Sequence, residues 1–131
     1  MRHLLISREY PPAPGGGIGT YVRRIAGLLS DAGETVHVIA PAWKGAPPGV
    51  EQDAAGRLFV HRVAFLDARR WPRWCPHPDL PSEPRGLFDL VPCPTEAFAW
   101  QAARKAEELV ESEKIDLVEA QEYEAPLYHF M

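Results

Sequence analysis

The sequence predicts an α/β fold in which helices cover both faces of a mainly parallel sheet. Two observations carry this prediction. Short apolar runs, typical of buried strands, alternate with longer amphipathic segments that have helical spacing. The first strand, helix and second strand also follow one another as a β-α-β unit, whose crossover is expected to be right-handed. The predicted architecture is therefore a three-layer sandwich.

The first β-α-β unit comes from residues 3–40. The run His3–Ser7 is short and apolar, as expected for a strand that is buried on both faces. The apolar positions of the next helix lie on one face, and Gly33 is expected to close that helix in a left-handed conformation. Those positions are Val22, Ile25, Ala26, Leu28, Leu29 and Ala32. The β-branched run Thr35–Ala40 predicts the second strand.

Three further elements follow the second strand. The segment Arg57–Phe65 predicts a third, weaker strand, and Ile115–Ala120 predicts a fourth. Between them, Thr95 is suited to cap a helix that runs to about Ser112. The apolar positions on one face of this helix are Phe98, Ala102, Ala106, Leu109 and Val110. We expect the sheet order 3-2-1-4, with the strands counted along the chain.

The segment Asp67–Pro94 interrupts this alternation. It contains seven prolines together with several arginines, Trp71 and Trp74. An irregular stretch of this length inside a compact domain is either functional or mobile. We therefore predict one domain over residues 1–131, with an insertion rich in proline, tryptophan and arginine at about 67–94.

Composition and charge exclude several classes of protein. Apolar residues make up 46% and charged residues 24% of the chain, as in ordinary folded domains. The net charge of -4 gives no electrostatic basis for nucleic-acid binding, which depends on neutralising phosphates. No apolar run approaches the roughly 18 residues of a membrane span, and nothing indicates peripheral membrane contact. The first apolar run is too short for a signal sequence, which predicts a cytoplasmic protein.

The cysteines and histidines do not indicate a metal site or a nucleophilic catalyst. Cys75 and Cys93 are the only cysteines, so the disulfide framework of small secreted domains is absent. With His77 they suggest zinc, but no fourth ligand follows at a regular spacing. His37 and His61 are interpreted as strand residues. We therefore predict no metal, and the sequence assigns no catalytic residue.

A glycine-rich segment (residues 9–20) joins the first strand to the first helix. In an open parallel sheet, ligands bind beyond the carboxyl ends of the strands, where this segment is expected to lie. Glycines let backbone N–H groups approach a ligand closely, and the N-terminus of a helix attracts anions. We predict that Gly16, Gly17, Ile18 and Gly19 bind a phosphate or diphosphate. The alternative is that the glycines only make a tight turn.

Two familiar phosphate-binding motifs do not fit this segment. The dinucleotide pattern would begin at Gly17 and Gly19 but has Val22 in place of its last glycine, and no acidic residue ends the second strand. The P-loop pattern requires Gly-Lys-Ser or Gly-Lys-Thr after the glycines, and these are absent. The sequence therefore disfavours both an NAD site and a P-loop.

A second candidate loop, Glu119–Pro126, follows the fourth strand. Its Glu122 is suited to bind sugar hydroxyls, because carboxylates accept strong hydrogen bonds from O–H donors. A solvated acidic turn explains the same residues equally well.

The motifs on either side of the first helix occur in a recognisable order. They are Glu9-Tyr10-Pro11-Pro12, then Gly16 to Val22, then Leu28-Leu29 and Ala32 to Ile39, with Asp116 to Tyr123 near the end. Together they resemble the N-terminal domain of retaining glycosyltransferases with the GT-B fold, family-4 type. The segment Asp67–Pro94 has no counterpart that we can name, and acceptor specificity varies at this place in such enzymes.

The resemblance implies the Rossmann-like, acceptor-side half of a GT-B enzyme. A second domain, which is not represented, holds the nucleotide-sugar, so the donor is a substrate and no cofactor or metal is implied. In the family the glycine-rich loop packs near the donor diphosphate, and an acid at the position of Glu122 lies near the reacting sugar. We predict that Glu9, Tyr10, Glu122 and Tyr123 bind the acceptor or sugar. The acceptor is a sugar, a lipid or a small molecule.

Because the donor domain is not represented, we expect no transferase activity from this chain alone. We also expect self-association or marginal stability, since the fourth strand would leave an open sheet edge. Two alternatives stay open. One is a stand-alone carbohydrate- or anion-binding module, in which Trp71 and Trp74 stack on sugar rings. The other is a non-catalytic partner of a separate donor-binding chain.

Overall fold

A computed structural model of the protein describes residues 1–13, 15–64 and 94–121. The strands in this part of the chain are β1 (Arg2–Ile6), β2 (Thr35–Pro41), β3 (Gly49–Gln52), β4 (Leu58–Val63) and β5 (Leu117–Ala120). The helices are α1 (Gly17–Asp31) and α2 (Pro94–Glu113). Neither of these two helices is apolar enough along its length to cross a bilayer. The described residues form an α/β fold.

One five-stranded sheet, in the order β3-β4-β2-β1-β5, lies at the centre of the described fold. β1 pairs in parallel with β2 and with β5, and β2 pairs in parallel with β4. The register aligns Leu5 with Val38 and Val38 with Val60, so apolar side chains lie side by side across three strands. β3 runs antiparallel to β4. The sheet is therefore mainly parallel, as predicted.

The strand order differs from the predicted 3-2-1-4, because β3 adds an edge strand that the sequence did not indicate. All four residues of β3 are exposed, so it lacks the apolar alternation by which a strand is recognised. Its position depends on the turn that follows. There the Asp53 carboxylate accepts hydrogen bonds from the backbone N–H groups of Leu58 (3.0 Å) and Arg57 (2.9 Å). These bonds, that of Leu58 above all, hold the pKa of Asp53 below its usual value.

The two helices pack on opposite faces of the sheet. Successive residues of a strand point to opposite faces, so Leu5 faces α1 while Leu4 and Ile6 face α2. The core on the α1 side consists of Leu5, Tyr10, Val22, Ala26, Val36, Val38, Ala40 and Val60. The core on the α2 side consists of Leu4, Ile6, Ile39, Phe98, Ala102, Ala106 and Leu109. The described part of the chain therefore has three layers.

α1 ends in the way that the sequence predicts. Gly33 has a φ of 90°, which is the left-handed conformation expected of it. Its N–H donates to the carbonyl oxygen of Ser30 at 3.0 Å, and the N–H of Glu34 donates to the carbonyl oxygen of Leu29 at 3.0 Å. These bonds satisfy carbonyl groups of the last turn, which a helix end otherwise leaves unpaired. The chain then enters β2 directly.

Replacing Gly33 by alanine is expected to destabilise the protein by about 1 kcal/mol, because a side chain at positive φ is strained even in the open space around this residue. Gly27 is the matched control. It lies inside α1, also in open space, and Gly27→Ala should stabilise by about 0.5–1 kcal/mol. Urea unfolding followed by circular dichroism measures both changes. Effects of the same sign would contradict the left-handed helix end.

Candidate functional site

The glycine-rich segment follows β1 and leads into α1. β1 ends at Ile6, and the last residues of the segment, Gly17–Thr20, form the first turn of α1. The carbonyl oxygen of Gly16 accepts hydrogen bonds from the Thr20 backbone N–H (3.5 Å) and hydroxyl (3.3 Å). The first N–H groups of an α-helix have no carbonyl partner within the helix, and they carry partial positive charge. The start of α1 is therefore a natural place for an anion.

The main chain of Glu9 is fixed against the first turn of α1. Its carbonyl oxygen accepts a hydrogen bond from the Ser7 hydroxyl at 2.7 Å, and Ser7 itself is fully buried. A Cβ atom added to Gly19 would lie 2.9 Å from the same oxygen, closer than side chains tolerate. Glycine at position 19 therefore allows the helix to approach the chain that leaves β1.

The side chain of Glu9 occupies part of the predicted anion site. Its carboxylate accepts a hydrogen bond from the backbone N–H of Gly16 at 2.7 Å. A Cβ atom at Gly15 would lie 3.1 Å from the same carboxylate, so this glycine also makes room for Glu9. Gly17 is exposed, with no neighbouring atom within 4 Å of its Cβ position. One amide thus already holds an internal anion, while the helix start at Gly17 is open.

Tyr10 packs into the core. Its side chain is buried on the α1 side, and the guanidinium carbon of Arg62 lies 5.3 Å from its ring centre. Burial raises the pKa of Tyr10, although the positive charges of Arg62 and Arg23 oppose the shift. The phenol therefore stays protonated at neutral pH.

Arg62 on β4 is a functional candidate that the sequence reasoning missed. Its Nε donates to Oε1 of Glu51 on β3 at 2.9 Å, and Nη1 donates to the Tyr10 carbonyl oxygen at 3.5 Å. Nη2 donates to the carbonyl oxygen of Pro11. The signal was present in the strand pattern. Leu58, Val60 and Arg62 alternate along β4, so Arg62 had to share the buried face of its two apolar neighbours.

A cavity of about 310 Å³ lies beside the glycine-rich segment. Its lining includes Tyr10, Pro12, Arg23, Glu51 and Arg62. It therefore combines an aromatic ring with both carboxylate and guanidinium groups. Groups of these kinds bind the hydroxyls and faces of polar ring compounds.

The predicted site residues fall into three sets. Glu9, Gly16, Gly17, Ile18 and Gly19 lie together at the start of α1. Tyr10 lies on the cavity side, next to Arg62. The remaining predicted residues, Glu122 and Tyr123, lie outside the described residues, as do Trp71, Trp74, Cys75, His77 and Cys93.

A buried histidine pair lies on the opposite, α2 side of the sheet. Nδ1 of His37 and Nε2 of His61 are 3.0 Å apart, and both rings are buried. The other nitrogens, His37 Nε2 and His61 Nδ1, have no hydrogen-bond partner among the described residues. Burial lowers the pKa of both rings, and the nearby His37 helps to lower that of His61 to about 4. Both rings are therefore neutral at pH 7, as strand residues in a core should be.

Within the described residues, no group of three or more histidine, cysteine, aspartate or glutamate side chains is arranged to hold a metal ion.

Comparisons with protein-family models, with curated proteins and with solved structures find no match to this chain. The geometry of the glycine-rich segment and the motifs within it are therefore the basis on which a function is proposed.

Gly19→Ala is expected to destabilise the protein by about 1–3 kcal/mol, because the new Cβ would overlap the Glu9 carbonyl oxygen. Gly17→Ala is the control. It lies in the same helical turn but in open space, so its effect should stay within about 0.5 kcal/mol. Thermal unfolding compares the two variants. Equal stability of the two would show that α1 does not approach Glu9 this closely.

The free energy of unfolding should fall as the pH is lowered from about 6.5 towards 4. The folded-state pKa of His61 is about 4, so the unfolded chain binds protons first and is favoured by acid. His61→Phe should show a smaller acid loss than the wild type, although it leaves His37 unpaired and costs about 1 kcal/mol at pH 7. Urea unfolding at several pH values measures the difference. Identical pH profiles would contradict a buried neutral pair.

Proposed function

We propose that this chain is the N-terminal, acceptor-side part of a nucleotide-sugar-dependent glycosyltransferase with a Rossmann-like GT-B architecture. The observation that carries the proposal is the open start at Gly17 of α1, the helix that follows the first strand of a parallel sheet. Anions bind at such helix starts, and ligands of open α/β sheets bind at the carboxyl ends of strands. The order of the motifs resembles that in family-4 glycosyltransferases. From this resemblance we infer that the anion is the diphosphate of a sugar donor.

In this proposal the amides at Gly17 and Ile18 contact the donor diphosphate. Leaving-group charge would be stabilised by backbone dipoles that are already in position, without a metal ion. The acceptor would lie towards Tyr10 and the neighbouring cavity, whose aromatic and charged groups suit a sugar or another polar ring. The resemblance assigns most donor contacts to a second domain, so the chain by itself should bind the diphosphate weakly and transfer nothing.

In this proposal Glu9 does more than cap the helix, because its carboxylate occupies an amide that the donor approaches. Its carboxylate already sits on the Gly16 amide, 2.7 Å away. An incoming diphosphate would meet this negative charge at short range, where like charges repel. Glu9 therefore competes with the donor for the Gly16 amide. Once the donor is bound, the Glu9 carboxylate would instead accept a hydrogen bond from a hydroxyl of the sugar or of the acceptor.

The test measures binding of UDP, GDP and their sugars to the chain by calorimetry, at fixed low salt. Gly17→Asp should weaken binding at least tenfold, because it places a carboxylate at the open helix start, where an acid is otherwise compatible with the helix. Ala55→Asp adds the same charge at an exposed turn far along the chain and should change nothing. Glu9→Gln should strengthen binding several-fold, since it removes the competing charge.

Each result has a defined meaning. If the wild type binds none of these nucleotides, or if Gly17→Asp binds them as well as Ala55→Asp does, the proposal is wrong. Inorganic phosphate that binds as tightly as the nucleotides would instead favour an anion-binding module. Transfer is then assayed after the chain is joined to a donor-binding domain, where product should form only with the nucleotide-sugar that binds.

A further prediction concerns β5, which lies at one edge of the described sheet. β5 pairs only with β1 among the described strands, and Leu117 at its start is 46% exposed. Open strand edges pair readily with another chain. We expect self-association through β5, which sedimentation at increasing concentration would detect.

A further inference from the structure

Arg62 is a buried cation that contacts more than its acidic partner. Its side chain is 1% exposed. Nε and Nη2 both donate to the Glu51 carboxylate, and the two terminal nitrogens also reach the carbonyl oxygens of Tyr10 and Pro11. β2 lies between β4 and β1 in the sheet, so the guanidinium spans one strand to reach the chain that follows β1. A single side chain thus links the β3–β4 edge to the glycine-rich segment.

Stability alone does not explain an arginine at this position. Val60 and Leu58 precede it on the same face of β4 and pack in or against the core beneath α1. An apolar residue at position 62 would continue that pattern. Replacing a buried ion pair by apolar side chains is often neutral or stabilising, because burying charge has a large desolvation cost. The bonds to the Tyr10 and Pro11 carbonyls therefore need an explanation of their own.

Those carbonyl groups directly follow Glu9 in the chain. The Glu9 carbonyl is already held by the Ser7 hydroxyl at 2.7 Å. With residues 9, 10 and 11 all anchored, the Glu9 side chain meets the Gly16 N–H at one defined place. A planar guanidinium suits this task, since its donors point in fixed directions, whereas the ammonium group of lysine acts as a single point charge.

We propose that Arg62 is a positioning residue that keeps the start of α1 ordered for a nucleoside diphosphate. It acts through the backbone of Tyr10 and Pro11 and does not touch the ligand. The ligand part of this inference rests on the proposed function. The ordering of the glycine-rich segment by Arg62 does not, and it can be measured on the chain without any ligand.

The experiment compares the wild type with Arg62→Met, Arg62→Lys and Arg104→Met, each at a temperature where circular dichroism shows it folded. Arg104→Met is the matched control, because it removes an exposed guanidinium of α2, whose partner is Glu107, and leaves Arg62 on the loop carbonyls. Hydrogen exchange of the Gly16 amide, followed by NMR, reports the order of the segment. Calorimetry with UDP and GDP reports binding by the same samples.

In both Arg62 variants we expect the protection of the Gly16 amide and the affinity for the diphosphates to fall about tenfold. Arg104→Met should stay within about twofold of the wild type in both measurements. Unchanged Gly16 protection in Arg62→Met overturns the positioning role. Altered protection with unchanged affinity overturns its connection with the ligand. If the wild type binds no diphosphate, the proposed function fails, and the exchange rates still decide whether Arg62 orders the segment.

Discussion

The close approach of α1 to the chain leaving β1 is the constraint on which the candidate site depends. It is possible only because residue 19 has no side chain, since a Cβ there would lie 2.9 Å from the Glu9 carbonyl oxygen. The same oxygen is tied to the buried Ser7 hydroxyl. The contact sets where the first-turn amides of α1 stand relative to the strand ends. It also seats Val22 and Ala26 against the sheet, so the core and the site share one geometric requirement.

Two charged side chains lie near this contact, Arg62 in the interior and Glu9 closer to solvent. Arg62 lies inside, where a cation without partners would be costly, and its donors are divided between the Glu51 carboxylate and two backbone carbonyls. Glu9 lies further out, where its carboxylate meets the partial positive charge of the helix start. The inner charge holds the backbone and the outer charge holds the amide. The two contacts belong to different side chains, so each can be removed by its own substitution.

The local signals of the sequence were enough to predict the first β-α-β unit, the helix end at Gly33 and the helix α2, because spacing and turn residues determine each of them over a few positions. β3 could not be predicted, since all its residues are exposed and its pairing depends on the following turn. The bonds from Arg62 to the Tyr10 and Pro11 carbonyls join residues more than fifty positions apart. The strand pattern indicates that Arg62 is buried but does not encode these partners. The Glu9 contact was missed for another reason: the glycines pointed to an external anion, and a nearby carboxylate is an equally good partner for the same amide.

A helix start that already holds its own carboxylate is still open to a ligand. Glu9 satisfies the amide of Gly16 with one hydrogen bond, and it does so from a half-buried position, where solvent screens its charge. A diphosphate carries more charge and more acceptor oxygens than a single carboxylate. In the proposed function it would therefore contact the amides of Gly17 and Ile18 together, whereas the carboxylate of Glu9 contacts the amide of Gly16. Displacing the carboxylate costs one hydrogen bond to a charged group, whose net contribution is about 1.5–3 kcal/mol. In the proposed function the Glu9 carboxylate would therefore lower the affinity for the donor while it orders the glycine-rich segment, so that one helix start would hold either its own carboxylate or a ligand.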